Sequence, residues 1–174
     1  MQGFALNDIF KIGIGPSSSH TMGPMHAAQH FMSNLEQTLG NGPLNVSVTL
    51  HGSLAATGDG HGTPGAVTAG LVGHHYETVT LPDIESAWNT ATATGVMRSL
   101  SGHDIHFNPA HDLLLDVEPL ASHPNGMTFR AWAGESLKDE KQYFSVGGGM
   151  VEDHLGHTLA TSPLPLGDAP FPYK

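Results

Sequence analysis

A short stretch near the start of the chain concentrates side chains that could bind a small anion. The run from Gly13 to Pro24 (GIGPSSSHTMGP) places three serines, a histidine and a threonine between Gly and Pro residues. Its hydroxyls and free N–H groups suit a carboxylate, and its imidazole titrates near neutrality. A predicted helix follows, so the stretch lies at a helix N-terminus, where unpaired N–H groups favour anions. The simpler interpretation is a serine-rich helix cap.

A second loop, around His61, has a comparable composition. The run from Gly52 to Thr63 (GSLAATGDGHGT) contains four glycines and follows a predicted strand. Glycine at this density indicates tight bends or the close approach of a ligand. If the two loops meet, His20 and His61 provide two imidazoles among hydroxyl and N–H donors, which can bind a carboxylate and move a proton. Two unrelated surface loops would give the same spacing.

A second group of histidines could suggest a metal site, but its composition and spacing argue against one. The group His74, His75, His103, His106 and His111 has no cysteine partner and no clear carboxylate partner. The i, i+3 spacing of His103 and His106 falls in a predicted strand or loop, where it does not align side chains on one face. Surface histidines therefore explain the group better than zinc. A Ser-His-Asp hydrolase is dismissed because no G-x-S-x-G elbow occurs.

Composition limits the class of partner and the compartment. The 174 residues include 16 acidic and 6 basic side chains, so we expect no electrostatic binding to nucleic acid or anionic membranes. No apolar run approaches the roughly 20 residues of a membrane span, and no basic-then-apolar leader is present. We therefore expect an intracellular, cytoplasmic protein. The chain has no cysteine, which excludes disulfides, thiolate metal sites and cysteine nucleophiles.

Hydrophobic spacing predicts the elements that must position the two loops. Helices are predicted over 21–39, 64–72 and 83–100, the second capped by Thr63 and rich in small residues that allow close packing. Strands are predicted over 44–51, 75–81, 104–107, 113–117, 127–132 and 142–146, with Asn125-Gly126 as a hairpin turn. The predicted class is α+β, a mostly antiparallel sheet with helices on one face. One domain would cover 1–155, and a Pro-rich tail or linker 156–174.

Four motifs in order make the chain resemble the iron–sulfur type of L-serine dehydratase. They are Lys11 to Met25 (KIGIGPSSSHTMGPM), Gly52 to Thr63, His123 to Phe129 (HPNGMTF) and Tyr143 to Gly149 (YFSVGGG). That family has a β part similar to this chain and an α part whose cysteines hold a [4Fe–4S] cluster. The β part resembles the allosteric substrate-binding domain of phosphoglycerate dehydrogenases, which is an α+β fold.

The resemblance implies dehydration of L-serine to aminoacrylate, which goes on to pyruvate and ammonia. It makes His20 and His61 the catalytic residues, one as general base and the other as proton donor or orienting group, in an order left open. The substrate-binding residues that it implies are Ser17, Ser18, Ser19, Thr21, Gly62, Thr63, Asn125 and Gly126. The α part, and not this cysteine-free chain, would hold the cluster. The expected partners are L-serine, the α part and further copies of the chain.

The chain departs from the family pattern at two places, and the resemblance therefore does not specify the shape and charge beside the pocket. His51 stands where an aromatic residue is expected, and Pro64-Gly65 stand where an acidic residue is usual. An alternative function is a non-catalytic regulatory module that binds serine, and a third is a histidine-rich metal-binding protein. The presence of His61 as well as His20 favours catalysis, because a carboxylate sensor does not need two positioned imidazoles.

Overall fold

The computed structural model describes residues 13–39 and 43–160, and these form one sheet with helices packed against it. Its strands are β1 (Leu44–His51), β2 (Val96–Arg98), β3 (Asp104–His106), β4 (Leu113–Asp116), β5 (Gly126–Ala133), β6 (Ser136–Gly147) and β7 (Met150–Asp153). Their order is β2-β3-β1-β5-β6-β7, with β4 also beside β1. β3 and β4 run parallel to β1, and the other pairs are antiparallel. The predicted α+β class is confirmed.

Helices cover the sheet and carry the two loops of interest. They are α1 (Gly23–Leu39), α2 (Ser53–Thr57), α3 (Thr63–Leu71), α4 (Leu81–Thr94) and α5 (Pro109–Asp112), with a π-helical turn at Ser18–Met22 and a 3-10 turn at Asp59–His61. α1 contacts β5, β6 and β7 and also packs against α3, which in turn contacts α4. As its small residues predict, α3 packs closely: a Cβ on Gly70 would lie 2.4 Å from the Met25 carbonyl oxygen.

The first predicted helix is confirmed, with an earlier start than the pattern indicates. Its apolar positions Ala28, Phe31, Met32 and Leu35 are buried in the core. The helical segment begins at Ser18, because the Ser17 hydroxyl accepts the His20 N–H and caps the first turn. The serine run therefore belongs to the helix end itself.

The predicted strand over 75–81 is wrong. The N–H groups of Thr78 and Val79 both donate to the His75 carbonyl, which closes this segment into turns. Thr80 then caps α4 in a reciprocal capping box with Asp83, so the alternating residues lead into a helix. α4 also ends earlier than predicted, at Thr94, because the following Gly95 adopts φ 67°. Val96–Arg98 form a strand instead.

The hairpin predicted at Asn125-Gly126 is wrong as well. β4 pairs in parallel with β1 and not with β5, so no hairpin joins the strands on either side of these residues. β5 forms its hairpin with β6, which is longer than predicted over 142–146. β6 then pairs with β7 across the turn formed by Gly147–Gly149, whose φ angles are all positive.

At α3 the N-cap is Gly62, in place of the predicted Thr63.

The first residues of the predicted tail pack on the domain. Leu159 is buried, and its N–H donates to the Val151 carbonyl on β7. Residues 161–174 lie outside the described residues, and the boundary at 155/156 stays a prediction. Among the described residues, no helix combines the length and apolar character needed to cross a bilayer.

Candidate functional site

The two loops meet, and they bring the rings of His20 and His61 next to each other. The ring centroids are 4.9 Å apart, and the ring planes are inclined by 44°. His20 lies in the π-helical turn that leads into α1, whereas His61 ends the 3-10 turn between α2 and α3. The whole of β1 separates the two loops along the chain, so this contact is produced by the tertiary fold.

Two threonines tie the loops together reciprocally. The Thr21 hydroxyl donates to the His61 carbonyl at 2.9 Å, and the Thr63 hydroxyl donates to the His20 carbonyl. Both threonines are buried. Each loop therefore holds the backbone of the other loop's histidine, which fixes the separation of the two rings. Because both hydroxyl hydrogens are donated to carbonyls, these threonines play a structural part in the site.

The tautomer of neutral His61 follows from a single contact. Its Nδ1 lies 2.8 Å from the carbonyl oxygen of Thr57, one helical turn earlier. A carbonyl only accepts hydrogen bonds, so Nδ1 carries the proton and Nε2 carries the lone pair. Nε2 makes no hydrogen bond to any residue in 13–39 or 43–160, and the residue is only half-buried. His61 thus presents an accessible base.

His20 differs because both of its ring nitrogens have hydroxyl partners. Nδ1 lies 2.9 Å from the Ser19 hydroxyl, and Nε2 lies 3.1 Å from the Ser53 hydroxyl. Burial, followed by the charge of nearby His61, lowers the pKa of His20 below its ordinary 6.5, while a backbone hydrogen bond at Ser53 acts in the opposite direction. The ring is therefore neutral at pH 7, between two hydroxyls that can each donate or accept.

The serine run provides donors beside the two rings. The first backbone hydrogen bond of the turn runs from the Thr21 N–H to the Ser17 carbonyl, so the N–H groups of Ser18 and Ser19 precede it. All three serines, Ser17, Ser18 and Ser19, are half-buried. Together with the helix end behind them, these groups form a place where a carboxylate can be held.

The Asn125-Gly126 segment makes hydrogen bonds and packing contacts within the domain. The Asn125 amide donates to the Ser145 carbonyl at 3.2 Å, and the Ser145 N–H donates back to the Asn125 carbonyl. Gly126 packs under Leu120, since a Cβ would lie 2.8 Å from that side chain. Gly62 is exposed at φ 70°, where a left-handed backbone favours glycine. A direct contact between substrate and these residues stays a prediction.

Two partners of the histidines were missed by sequence reasoning, namely the Ser53 hydroxyl and the Thr57 carbonyl. Both lie in the second motif, on α2, but no local pattern links them to a histidine. The indirect signal is Gly52, which adopts φ 56° and where a Cβ would lie 2.4 Å from the Pro124 carbonyl oxygen. Only glycine fits this bend, which sets the position of the next residue, Ser53.

His51, which stands where the family pattern leads us to expect an aromatic residue, is buried away from solvent. Its Nε2 lies 3.0 Å from the Thr128 hydroxyl, and its Nδ1 lies 3.5 Å from a carboxylate oxygen of Asp116. Burial lowers the pKa of His51 although Asp116 acts to raise it. The residue is thus on the non-core face of β1, as the alternation predicts, but β4 and β5 cover it.

Two cavities in the described part of the chain adjoin Val72 and Leu100, and neither is lined by His20 or His61. Within 13–39 and 43–160, no group of three or more His, Asp or Glu side chains is placed to hold a metal ion. His103 instead contacts Glu36, with 3.3 Å between Nδ1 and a carboxylate oxygen.

Comparison with known proteins agrees with the motifs. A family model described as serine dehydratase beta chain matches residues 5–155. L-serine dehydratase TdcG of Escherichia coli is 42% identical over 161 residues, which is 89% of this chain and 36% of the relative. The L-serine dehydratase of Streptomyces coelicolor is 44% identical over 173 residues, covering 92% of this chain and 38% of the relative. The Helicobacter pylori enzyme is 41% identical over 153 residues, covering 87% and 33%.

The chain spans just over a third of the length of the first two relatives, so they contain a large part with no counterpart in it. The match nevertheless runs through the serine stretch, the His61 loop and the sheet that carries them. The chain belongs to the serine dehydratase beta chain family.

Proposed function

We propose that this chain binds L-serine and transfers its protons as the β part of an iron–sulfur L-serine ammonia-lyase, which forms pyruvate and ammonia. The observation that carries the proposal is the pairing of His61, whose Nε2 has no hydrogen-bond partner among the described residues, with neutral His20 at a ring separation of 4.9 Å. The relatives named L-serine dehydratase support the choice of substrate.

The chemistry assigned to the chain is an α,β-elimination. The substrate carboxylate lies at the N–H groups of Ser18 and Ser19, against the helix N-terminus. His61 Nε2 takes the α-hydrogen as a proton, the electron pair left behind forms the Cα–Cβ double bond, and the Cβ–O bond breaks. The hydroxyl leaves as water after it gains a proton; neutral His20 is the donor on this side of the site, and the proton that His61 has taken replaces the one that His20 gives up. The product of the step is aminoacrylate.

The family resemblance implies a [4Fe–4S] cluster, which as a Lewis acid supports departure of the hydroxyl. The residues of this chain do not fit such a cluster, because its usual ligands are cysteine thiolates and the chain has no cysteine. We therefore assign the cluster to the α part. His20, His61 and the serines contribute binding and proton transfer alone.

An apolar surface beside the site supports docking of such a partner. On and just after β4, Leu114, Leu115 and Val117 are 49%, 59% and 67% exposed. The same strand is joined to the site, since the Gly52 N–H donates to the Asp116 carbonyl immediately before Ser53. An exposed apolar strand next to the candidate site is a surface that a partner would cover.

The test is His61→Ala in the enzyme assembled anaerobically with its cluster-bearing part. We expect kcat to fall by about 10²–10⁴, the usual contribution of a general base, with L-serine binding retained. His111→Ala, an exposed histidine on α5, is the matched control and keeps wild-type turnover. Full turnover in His61→Ala would contradict the catalytic role and favour the serine-binding regulatory module.

A further inference from the structure

The Ser53 hydroxyl, in the second loop, lies 3.1 Å from His20 Nε2. We propose that Ser53 is a positioning residue: its hydroxyl accepts the Nε2 proton of His20 and fixes this ring in the tautomer opposite to that of His61. The effect of this contact on turnover rests on the proposed function, whereas the tautomer itself is a property of the chain alone.

The Ser53 hydroxyl is held in place by the backbone on both sides. Its own N–H donates to the Pro124 carbonyl at 2.9 Å, and the preceding Gly52 is fitted against the same carbonyl oxygen. On the following side, Ser53 begins α2, and its carbonyl accepts the Thr57 hydroxyl at 2.9 Å. A hydroxyl on so constrained a backbone can fix the orientation of a ring.

The serines on the other side of His20 favour this direction of the hydrogen bond. The Ser17 hydroxyl accepts the His20 N–H at 3.2 Å, which leaves its hydrogen free to be donated to Ser19, 3.3 Å away. The Ser19 hydrogen is then available for His20 Nδ1 at 2.9 Å. A neutral imidazole that accepts at Nδ1 carries its proton on Nε2, so the Ser53 oxygen is the acceptor.

Because the two rings carry opposite tautomers, they have different roles in proton transfer. His61 is protonated on Nδ1 and has its lone pair on Nε2. His20 has its Nδ1 lone pair engaged with Ser19 and its proton on Nε2, so it does not compete for the α-proton. Without Ser53, the Nε2–H form of His20 would lose its hydrogen-bond acceptor, and the two tautomers would become closer in energy.

The tautomer can be read from ¹⁵N chemical shifts of the full 174-residue chain labelled in histidine. We expect the Nε2–H form of His20 in the wild type. Ser53→Ala should shift the ratio of tautomers about fivefold towards Nδ1–H, which corresponds to one ordinary hydrogen bond of about 1 kcal/mol. Ser53→Thr should restore the wild-type ratio, and Ser86→Ala, an exposed serine on α4, should leave it unchanged.

The proposal is overturned if wild-type His20 is mainly Nδ1–H, a result that does not depend on any variant folding. It is also overturned if folded Ser53→Ala keeps the wild-type ratio. In the assembled enzyme, Ser53→Ala should lower kcat about fivefold with KM unchanged, and Ser53→Thr should recover it. If the wild-type enzyme does not consume L-serine while the tautomers are as expected, the proposed function fails and the assignment of Ser53 stands.

Discussion

The threonine ties between the two loops can be tested by Thr63→Val. Valine keeps the shape of the side chain but removes the hydroxyl that donates to the His20 carbonyl. Thr63 is fully buried, so the carbonyl loses its partner where water does not easily replace it. A buried group left unpaired costs about 1–3 kcal/mol of unfolding free energy. In a chain of this length each kcal/mol lowers Tm by about 2–4 °C, so we expect a decrease of about 2–12 °C.

Thr68→Val is the matched control. Thr68 is also fully buried on α3, but its hydroxyl donates to the Pro64 carbonyl within the same helix, at 2.8 Å. Both variants should lose stability in urea or thermal unfolding. Only Thr63→Val should weaken the nuclear Overhauser contacts between the rings of His20 and His61.

Thr21→Val completes a double-mutant cycle with Thr63→Val. Because both hydroxyls join the same two loops, the second substitution should cost less once the first has been made. The reasoning is refuted if Thr63→Val is as stable as the wild type with unchanged ring contacts. Strict additivity of the two substitutions would refute the idea of a shared clamp.

Two further predictions concern packing and pH. Gly70→Ala should lower the unfolding free energy by about 1–3 kcal/mol, because its Cβ would lie 2.4 Å from the Met25 carbonyl oxygen. Gly60→Ala, where a Cβ meets nothing within 4 Å, is the control, and equal urea midpoints would contradict the packing argument. Burial is the largest cause lowering the pKa values of His20, His26, His30, His51 and His75 below 6.5. The unfolded chain then binds more protons, so the unfolding free energy should fall on acidification below about pH 6.5, and a rise in urea titrations between pH 7 and 5 would contradict this.

Much of the fold could be predicted because its elements have clear hydrophobic periodicity. α1 and β1 carry their apolar residues at helical and alternating spacing, and both are found where predicted. The segment over 75–81 misled because a polar–apolar alternation ahead of a capping box has the same residue pattern as a short strand. The Asn125-Gly126 signal misled because turn chemistry does not reveal which strands pair, and β4 pairs with β1.

The site was predictable as two loops and not as a hydrogen-bond network. Motif spacing identifies His20 and His61, since unusual glycine and serine runs surround each of them. The contact from His20 to Ser53 spans 33 positions, and the partner of His61 is a main-chain oxygen. Every residue has a backbone carbonyl, so no pattern of residue types could have indicated this hydrogen bond.

The Thr57 carbonyl that orients His61 has a consequence for how the site tolerates genetic change. A side-chain substitution at position 57 leaves the main-chain oxygen where it is. The tautomer of His61 is therefore not affected by mutations at that position. His20 has no such protection, because its neighbours Ser19 and Ser53 can each be lost through a single amino-acid replacement. Among the hydrogen-bond partners of the two rings, inactivating variants should therefore fall at Ser19 and Ser53 and not at Thr57.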